Sequence, residues 1–240
     1  MKLAILGDIH ANLEALEAVL IAVEREGAQQ VVCLGDIVGY GPDPLGCIYR
    51  LQEVNAEIVI GNHDLAILHP DQIRTFNAFA RPSLLHAHEI LGADERSYLE
   101  KSAMHFETNG AIFSHANPIV PAEWEPLFMH SKIAWCMDNL EHTMAFVGHT
   151  HHAMIHCKMR SRTLALTSST VAIGPHQYLV NPGSVGQPRD GDWRASYALW
   201  DIAGGYVELH RVEYAVKRTR EKMMNLGYPE YTAQRLVKGE

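Results

Sequence analysis

Apolar runs of four or five residues recur along the first half of the chain, and each stops at a glycine or a polar residue rather than fading out. Lys2–Leu6, 31–34 and 57–60 have the length and continuity of strands buried on both faces. The segments between them change period. Leu13, Leu16, Val19, Leu20 and Val23 fall at spacings of three and four and predict a helix from Asn12 that Gly27 stops. A second helix is expected over 44–54. Strands alternating with amphipathic helices imply parallel pairing through right-handed crossovers.

Residues 65–108 break this rhythm and predict a helical insertion, with Phe76, Phe79, Leu84, Leu85, Ile90 and Leu91 marking its apolar faces. Strand character returns at 110–114 and Met144–Val147, with a loop over 118–127 and a helix over 132–140 between them. From 154 onward, short apolar segments (154–156, 163–166, 178–180, Ala195–Asp201, Tyr206–Val212) alternate with Gly, Pro and Asp turns, as expected for an antiparallel second sheet of hairpins. A helix over 215–226 and a short tail helix close the chain. With no internal repeat or low-complexity linker, 1–240 is expected to be one α/β domain, with the 65–108 insertion and a 213–240 helical tail.

A chain of 240 residues with 47% hydrophobic content can bury a sizeable core. Its net charge of -8 argues against a nucleic-acid groove or an anionic membrane surface, which require clustered Lys and Arg. No apolar run approaches the ~20 residues of a membrane span. Cys33, Cys47, Cys136 and Cys157 are widely spaced and lie in apolar surroundings, the pattern of reduced core cysteines in a cytoplasmic protein.

The polar residues that end the apolar runs carry the chemistry. Asp8 and His10 follow the first run, and Asp36 the second. Asn62, His63 and Asp64 follow the third, His115 the fourth, and His149, His151 and His152 the fifth. The C-terminal rim of parallel strands is where open α/β sheets collect their sites, and a carboxylate there can give each oxygen to a different cation. In extended backbone alternate residues share a face, so Asp8 and His10 would reach one ion, His149 and His151 would project together, and His152 would point away. Carboxylate, amide and imidazole donors suit Mn, Fe, Zn or Ni better than Ca.

The blocks Asp8-x-His10, Gly35-Asp36, Gly61-Asn62-His63-Asp64, His115 and Gly148-His149-Thr150-His151, in this order over about residues 3–200, resemble the calcineurin-like metallophosphoesterase family. The resemblance implies a sandwich of two mixed sheets flanked by helices, with two divalent metal ions at one end. It assigns Asp8, His10, Asp36 and His151 to one ion and Asp36, Asn62, His115 and His149 to the other, with Asp36 as the bridge. Two ions ~3.5–4 Å apart lower the pKa of a bridging water, which attacks phosphorus as hydroxide. His63 is the expected general acid, oriented and kept cationic by Asp64.

The expected substrate is a small phosphodiester or nucleotide; protein phosphatase and dinucleoside polyphosphate hydrolase activities are the alternatives. A non-catalytic scaffold of the same fold would be expected to have lost ligands, and none is missing. Four further residues are candidates for substrate contact. Asn77 and Arg81, one helical turn apart on the insertion, either present an amide and a guanidinium to the site or form a solvated helix face. Ser184 and Arg189, in the 181–189 loop that resembles the family's Asn-Pro-Gly-Ser block, either hold a phosphate oxygen or clasp the loop.

Overall fold

The computed structural model describes residues 1–240. Twelve strands form two six-stranded sheets. In the first sheet, β1 (Lys2–Leu6), β2 (Gln30–Cys33) and β3 (Glu57–Ile58) are parallel, joined by the crossover helices α1 (Leu13–Arg25) and α2 (Pro44–Glu53). The third strand is shorter than its apolar run. Beyond Ile58 the chain keeps one hydrogen bond to β2, from Val59 N–H to Cys33 O, and an isolated bridge from Val59 to Ala103, and α3 (Asn62–Leu68) starts directly at the polar block. Asn62 and His63 therefore stand on the first turn of a helix and not in an open loop.

The insertion is helical through a 3-10 turn (Pro70–Thr75), α4 (Arg81–Ile90) and α5 (Ala93–Glu100), and then departs from expectation. His105–Thr108 is a strand, β4, paired antiparallel with β5 (Ala111–Ser114). Phe106 on β4 stacks on Phe113 of β5, which stacks on Phe146 of β6 (Met144–Val147), with centroids 4.8 and 5.1 Å apart. Such cross-strand aromatic pairs stabilise a sheet. Phe106 and Phe113 meet across the β4–β5 hairpin, whereas Phe113 and Phe146 lie far apart in sequence, so their pairing is invisible to local periodicity.

The second half does not form a separate antiparallel sheet. β7 (Ala153–Met159), β8 (Arg162–Leu166) and β10 (Gln177–Pro182) join β4, β5 and β6, with β10 parallel to β6 and antiparallel to β7. β11 (Ala195–Asp201) and β12 (Tyr206–Val212) return to the first sheet, where β11 lies antiparallel beside β1, and β9 (Thr170–Ala172) extends that sheet at its edge. Both sheets are thus mixed, as the resemblance implies.

Period-two alternation builds the layers. On β1, Leu3 and Ile5 face the second sheet, where they join Val32, Leu34, Phe113, Phe146 and Trp200. Ala4 and Leu6 face the opposite way and meet Leu16, Val19 and Ile48 of α1 and α2. On the far side, α6 (His130–Asn139) packs Ile133, Cys136 and Met137 against Val147 and Leu179 of the second sheet. The result is helices, sheet, sheet, helix. β1, β2, β5 and β6 all deliver their C-terminal ends to one edge, and α7 (Val216–Asn225) and α8 (Glu230–Lys238) complete the chain. No helix is long and apolar enough to cross a membrane.

Candidate metal centre and active site

The polar residues that end β1, β2, β5 and β6 converge with the start of α3. Asp8, His10, Asp36, His115 and His151 are each at most 2% exposed, so five ionisable side chains share one buried space. With His149 they gather in two groups, Asp8–His10–His151 and Asp36–His115–His149, linked by a third, His10–Asp36–His63, which shares a member with each.

The backbone that aims them is not extended. Asp8, His10, Asp36, His149 and His151 all have left-handed φ, between 49° and 68°. For a non-glycine residue this costs on the order of 1–3 kcal/mol and persists only where surrounding contacts hold it. The contacts are visible. Asp8 N–H donates to Gly35 O at 3.1 Å, His10 N–H to Asp36 O at 2.8 Å, and Gly186 N–H to Asp8 O at 3.0 Å. Asp8 and His10, and His149 and His151, are therefore placed by tight turns, and the alternation of an extended strand is not what groups them. His149 and His151 divide between the two groups and do not project together. His152 does lie outside: its Nδ1 pairs with its neighbour Thr150 O at 2.8 Å, and its ring meets Phe128 edge-on.

The imidazole hydrogen bonds settle which nitrogens carry protons. A carbonyl can only accept, so His10 Nδ1–H donates to Val38 O (3.0 Å), His115 Nδ1–H to Leu34 O (2.7 Å) and His151 Nδ1–H to Gln187 O (2.6 Å). In the neutral rings each Nε2 is then a bare lone pair. His10 Nε2 and His151 Nε2 nevertheless face each other at 3.0 Å, and His115 Nε2 lies 3.0 Å from His149 Nδ1 and 3.2 Å from Asn62 Oδ1. Burial pushes all four rings down, His115 to about 4 and His149 to about 3, and neighbouring cationic groups add to it for His10, His149 and His151, so protonation does not relieve the contact. Lone pairs opposed at this distance and flanked by carboxylates fit divalent cations between them. The carbonyl locks on Nδ1 are the usual outer support of metal-binding imidazoles.

Asp36 occupies the middle. Its Oδ2 is 3.5 Å from His115 Nε2 and 3.7 Å from His10 Nε2, so one oxygen addresses both groups. Burial pushes its carboxyl up to about 7, against the pull of the His63 N–H, which donates to Oδ1 at 2.9 Å, and of Arg189. Asp8 is likewise raised, by burial and then by Asp36. A cation reverses both effects, because it favours the carboxylate form. Gly61 lies against Asp36 Oδ1 and leaves no room for a Cβ.

Asp64 does not do what the sequence suggests. Its Oδ1 accepts from Ile37 N–H (2.9 Å) and Val38 N–H (3.1 Å), and its Oδ2 from Gly61 N–H (3.1 Å). It pins the turn that carries Asp36 and makes no hydrogen bond to the His63 ring. The His63 Nδ1 is buried without a partner, covered by Gly39 at φ 87°, and its Nε2 lies 4.0 Å from Asp36 Oδ2. Burial, His115 and Arg189 hold His63 well below the usual histidine range, so Asp64 does not keep it cationic.

The four candidate substrate contacts separate. Asn77 Oδ1 accepts from Phe79 and Ala80 N–H, and Arg81 Nη2 donates to Arg74 and Phe76 carbonyls, so both tie the insertion to itself. Ser184 is fully buried; its hydroxyl donates to Asp8 O at 2.6 Å and accepts from Gln187 N–H at 2.7 Å. It clasps the Asp8 turn. Ser184→Ala is therefore expected to destabilise the fold by about 1–3 kcal/mol, measured by urea denaturation, because it leaves the buried Gln187 N–H without an acceptor and the Asp8 carbonyl with only Gly186 N–H. Arg189 alone faces the site: its guanidinium lies over the Tyr40 ring at 5.4 Å, and its field pulls down Asp8, Asp36, His10 and His151.

Some residues of the site carry no sequence signal of their own. Tyr40 sets its ring 4.8 Å from His10 and 4.9 Å from His63, and Phe76 of the insertion meets His63 at 4.8 Å, so the insertion does wall this edge. Val38, Leu34 and Gln187 act through main-chain carbonyls, which no side-chain pattern reveals.

The comparisons with known proteins agree with this geometry. A metallophosphoesterase of Sphaerobacter thermophilus superposes over the whole of both chains with a TM-score of 0.87 and 33% identity. An uncharacterized protein of Methanocaldococcus jannaschii is 36% identical over 243 residues, covering 99% of this chain and 98% of its own. Phosphodiesterase YfcE of Escherichia coli K12 is 29% identical over 211 residues, 84% of this chain and 88% of its own. The calcineurin-like phosphoesterase superfamily domain matches residues 1–205, and the chain belongs to that family of metal-dependent hydrolases.

Proposed function

We propose that the chain hydrolyses a small phosphodiester or nucleotide with two divalent cations, drawn from Mn, Fe, Zn and Ni. Asp8, His10, Asp36 and His151 hold one, and Asp36, Asn62, His115 and His149 the other. The supporting observation is the set of Nε2 lone pairs on His10, His115 and His151, fixed by carbonyl locks and facing other donors at 3.0–3.2 Å beside Asp36. Bound divalent cations supply Lewis acidity there, making water nucleophilic near neutral pH and neutralising phosphoryl charge.

The chain's own groups do the rest. Asp36, held by the Gly61–Asp64 turn, orients the reacting centre. Arg189, whose Nε is buried and unpartnered, is placed to take a phosphate oxygen. His63 stands at the edge shared with Tyr40 and Phe76, where it would give a proton to the leaving oxygen. The negative charge of a bound phosphoester opposes the burial that keeps the ring neutral. The name of the Escherichia coli relative supports diester cleavage. Four free, buried cysteines suit the reducing cytoplasm.

Metal-stripped protein reloaded with each of the four metals and offered bis(p-nitrophenyl) phosphate, nucleotides, dinucleoside polyphosphates and phosphopeptides tests the reading. Metal-dependent turnover of a diester or nucleotide is expected. Turnover of phosphopeptides alone, or of nothing in protein carrying two ions per chain, overturns it. His151→Ala should lose one ion per chain by elemental analysis, whereas His152→Ala should keep wild-type content. The reverse would mean that the two histidines have been assigned the wrong way round.

A further inference from the structure

Residues 187–189 are fastened to His151 at both ends. Gln187 O accepts from His151 Nδ1–H at 2.6 Å, and Arg189 N–H donates to His151 O at 3.2 Å. Gln187 N–H is held in turn by Ser184 Oγ at 2.7 Å, and beyond Arg189 the Gly191 N–H donates to Gly239 O at 3.0 Å, past the last turn of α8. The main chain that carries Arg189 is therefore fixed relative to a proposed metal ligand. Its guanidinium is not fixed by this, because a long stem of rotatable bonds separates it from that main chain.

The one hydrogen bond of the Arg189 side chain runs from Nη2 to Gln187 Oε1 at 2.8 Å. Gln187 is 1% exposed and lines a narrow crevice with His10, Tyr40, Met223 of α7 and Leu236 of α8. A guanidinium has only donors, so the Gln187 amide must turn its oxygen to Arg189. Its Nε2 is then left buried without an acceptor. A stranded amide N–H is unfavourable, and an apolar side chain of the same length would avoid it. The hydrogen bond to Arg189 is what the amide supplies and the apolar side chain would not. That bond holds the guanidinium over the Tyr40 ring at 5.4 Å, and Tyr40 packs on His10 and His63.

We propose that Gln187 is a positioning residue for hydrolysis: its amide oxygen aims the Arg189 guanidinium, so that the remaining N–H groups meet a phosphoryl oxygen of the bound ester. This rests on the phosphoesterase reading above and adds to it the residue that orders its arginine. A donor aimed before binding acts more strongly than one ordered on binding, because its rotamer freedom has already been removed. Residue 187 thus sets two groups at once, the His151 imidazole through its carbonyl and the Arg189 fork through its side chain.

A double-mutant cycle on metal-loaded protein tests the role, with binding of inorganic phosphate read by calorimetry and KM read on bis(p-nitrophenyl) phosphate. Gln187→Met keeps the length of the side chain and the carbonyl that holds His151, and removes the acceptor. It should retain wild-type metal content by elemental analysis, weaken phosphate binding by about three- to tenfold and raise KM by a similar factor. Arg189→Met should weaken phosphate binding by at least about tenfold. Because Gln187 acts through Arg189, the double variant should bind phosphate within about twofold of Arg189→Met alone. If Gln187→Met melts early, the isosteric Gln187→Glu carries the cycle. Its carboxylate pairs with Arg189 but stands unpaired once Arg189 is replaced, so the double variant should again depart from the product of the single effects by more than about twofold. Losses that multiply, unchanged phosphate affinity in Gln187→Met, or loss of an ion from that variant overturn the proposal. Wild-type phosphate affinity in Arg189→Met also overturns it, while metal-dependent turnover of the diester leaves the phosphoesterase reading in place. A wild type without that turnover overturns both.

Discussion

Asp36→Asn is expected to abolish most metal binding and to lower kcat/KM by at least about 10³-fold, while leaving a folded chain. The magnitude follows from several kcal/mol of lost Lewis-acid stabilisation, at about 1.4 kcal/mol per tenfold. Asp36 is the residue to test because one of its oxygens lies between imidazoles of both groups, so its loss weakens both. The amide retains the acceptor that His63 N–H uses, which keeps the turn intact.

Stability should separate metal loss from unfolding. In the metal-free chain the Asp36 carboxyl is raised to about 7 from an ordinary value of 3.8, so the folded state binds a proton that the unfolded state has already released. The charged form therefore costs stability as pH rises from about 4, with the cost fully present above 7. Metal-free Asp36→Asn should accordingly melt at or above metal-free wild type at pH 8, yet gain nothing from added metal, while wild type gains. Near-normal metal content and turnover in the folded variant would remove Asp36 from the bridging position.

His63→Ala should keep its metal content, because Asn62 and not His63 is the proposed ligand, and should lose turnover by the ~10² to 10⁴-fold of a general acid. The leaving group discriminates the role. A p-nitrophenolate departs without a proton, so the loss should shrink on an aryl ester and persist on an alkyl or ribose ester. Equal losses would mean that the ring orients the phosphate. Loss of metal would make His63 a ligand, which its place beside His10 and Asp36 permits sterically. Asp64→Asn should act differently, loosening the Asp36 turn and lowering stability, since the carboxylate serves Ile37, Val38 and Gly61.

What the sequence by itself determined is the set of polar side chains that converge and the elements that carry them. Apolar runs of strand length, the period of three and four between them, and an Asp, Asn or His just past each run are local signals, and they place Asp8, Asp36, Asn62, His115 and His149 at the ends of strands or the start of a helix. Their order also carried the family, and with it the two mixed sheets. Local signals could not say how the chain turns at those ends. Asp8 and His151 adopt left-handed backbone because distant main-chain groups hold it there: Gly35 and Gly186 hydrogen-bond the Asp8 turn, and the Arg189 N–H donates to His151 O.

Only the tertiary structure decided the rest, for the same reason. The return of β11 to lie beside β1, the parallel pairing of β5 with β6 that stacks Phe113 on Phe146, and the carbonyls that lock His10, His115 and His151 are all pairings between residues far apart in the chain. Asp64 was legible as a member of the site but not as the anchor of the Asp36 turn, because its partners on that turn, Ile37 and Val38 N–H, are 27 and 26 residues away.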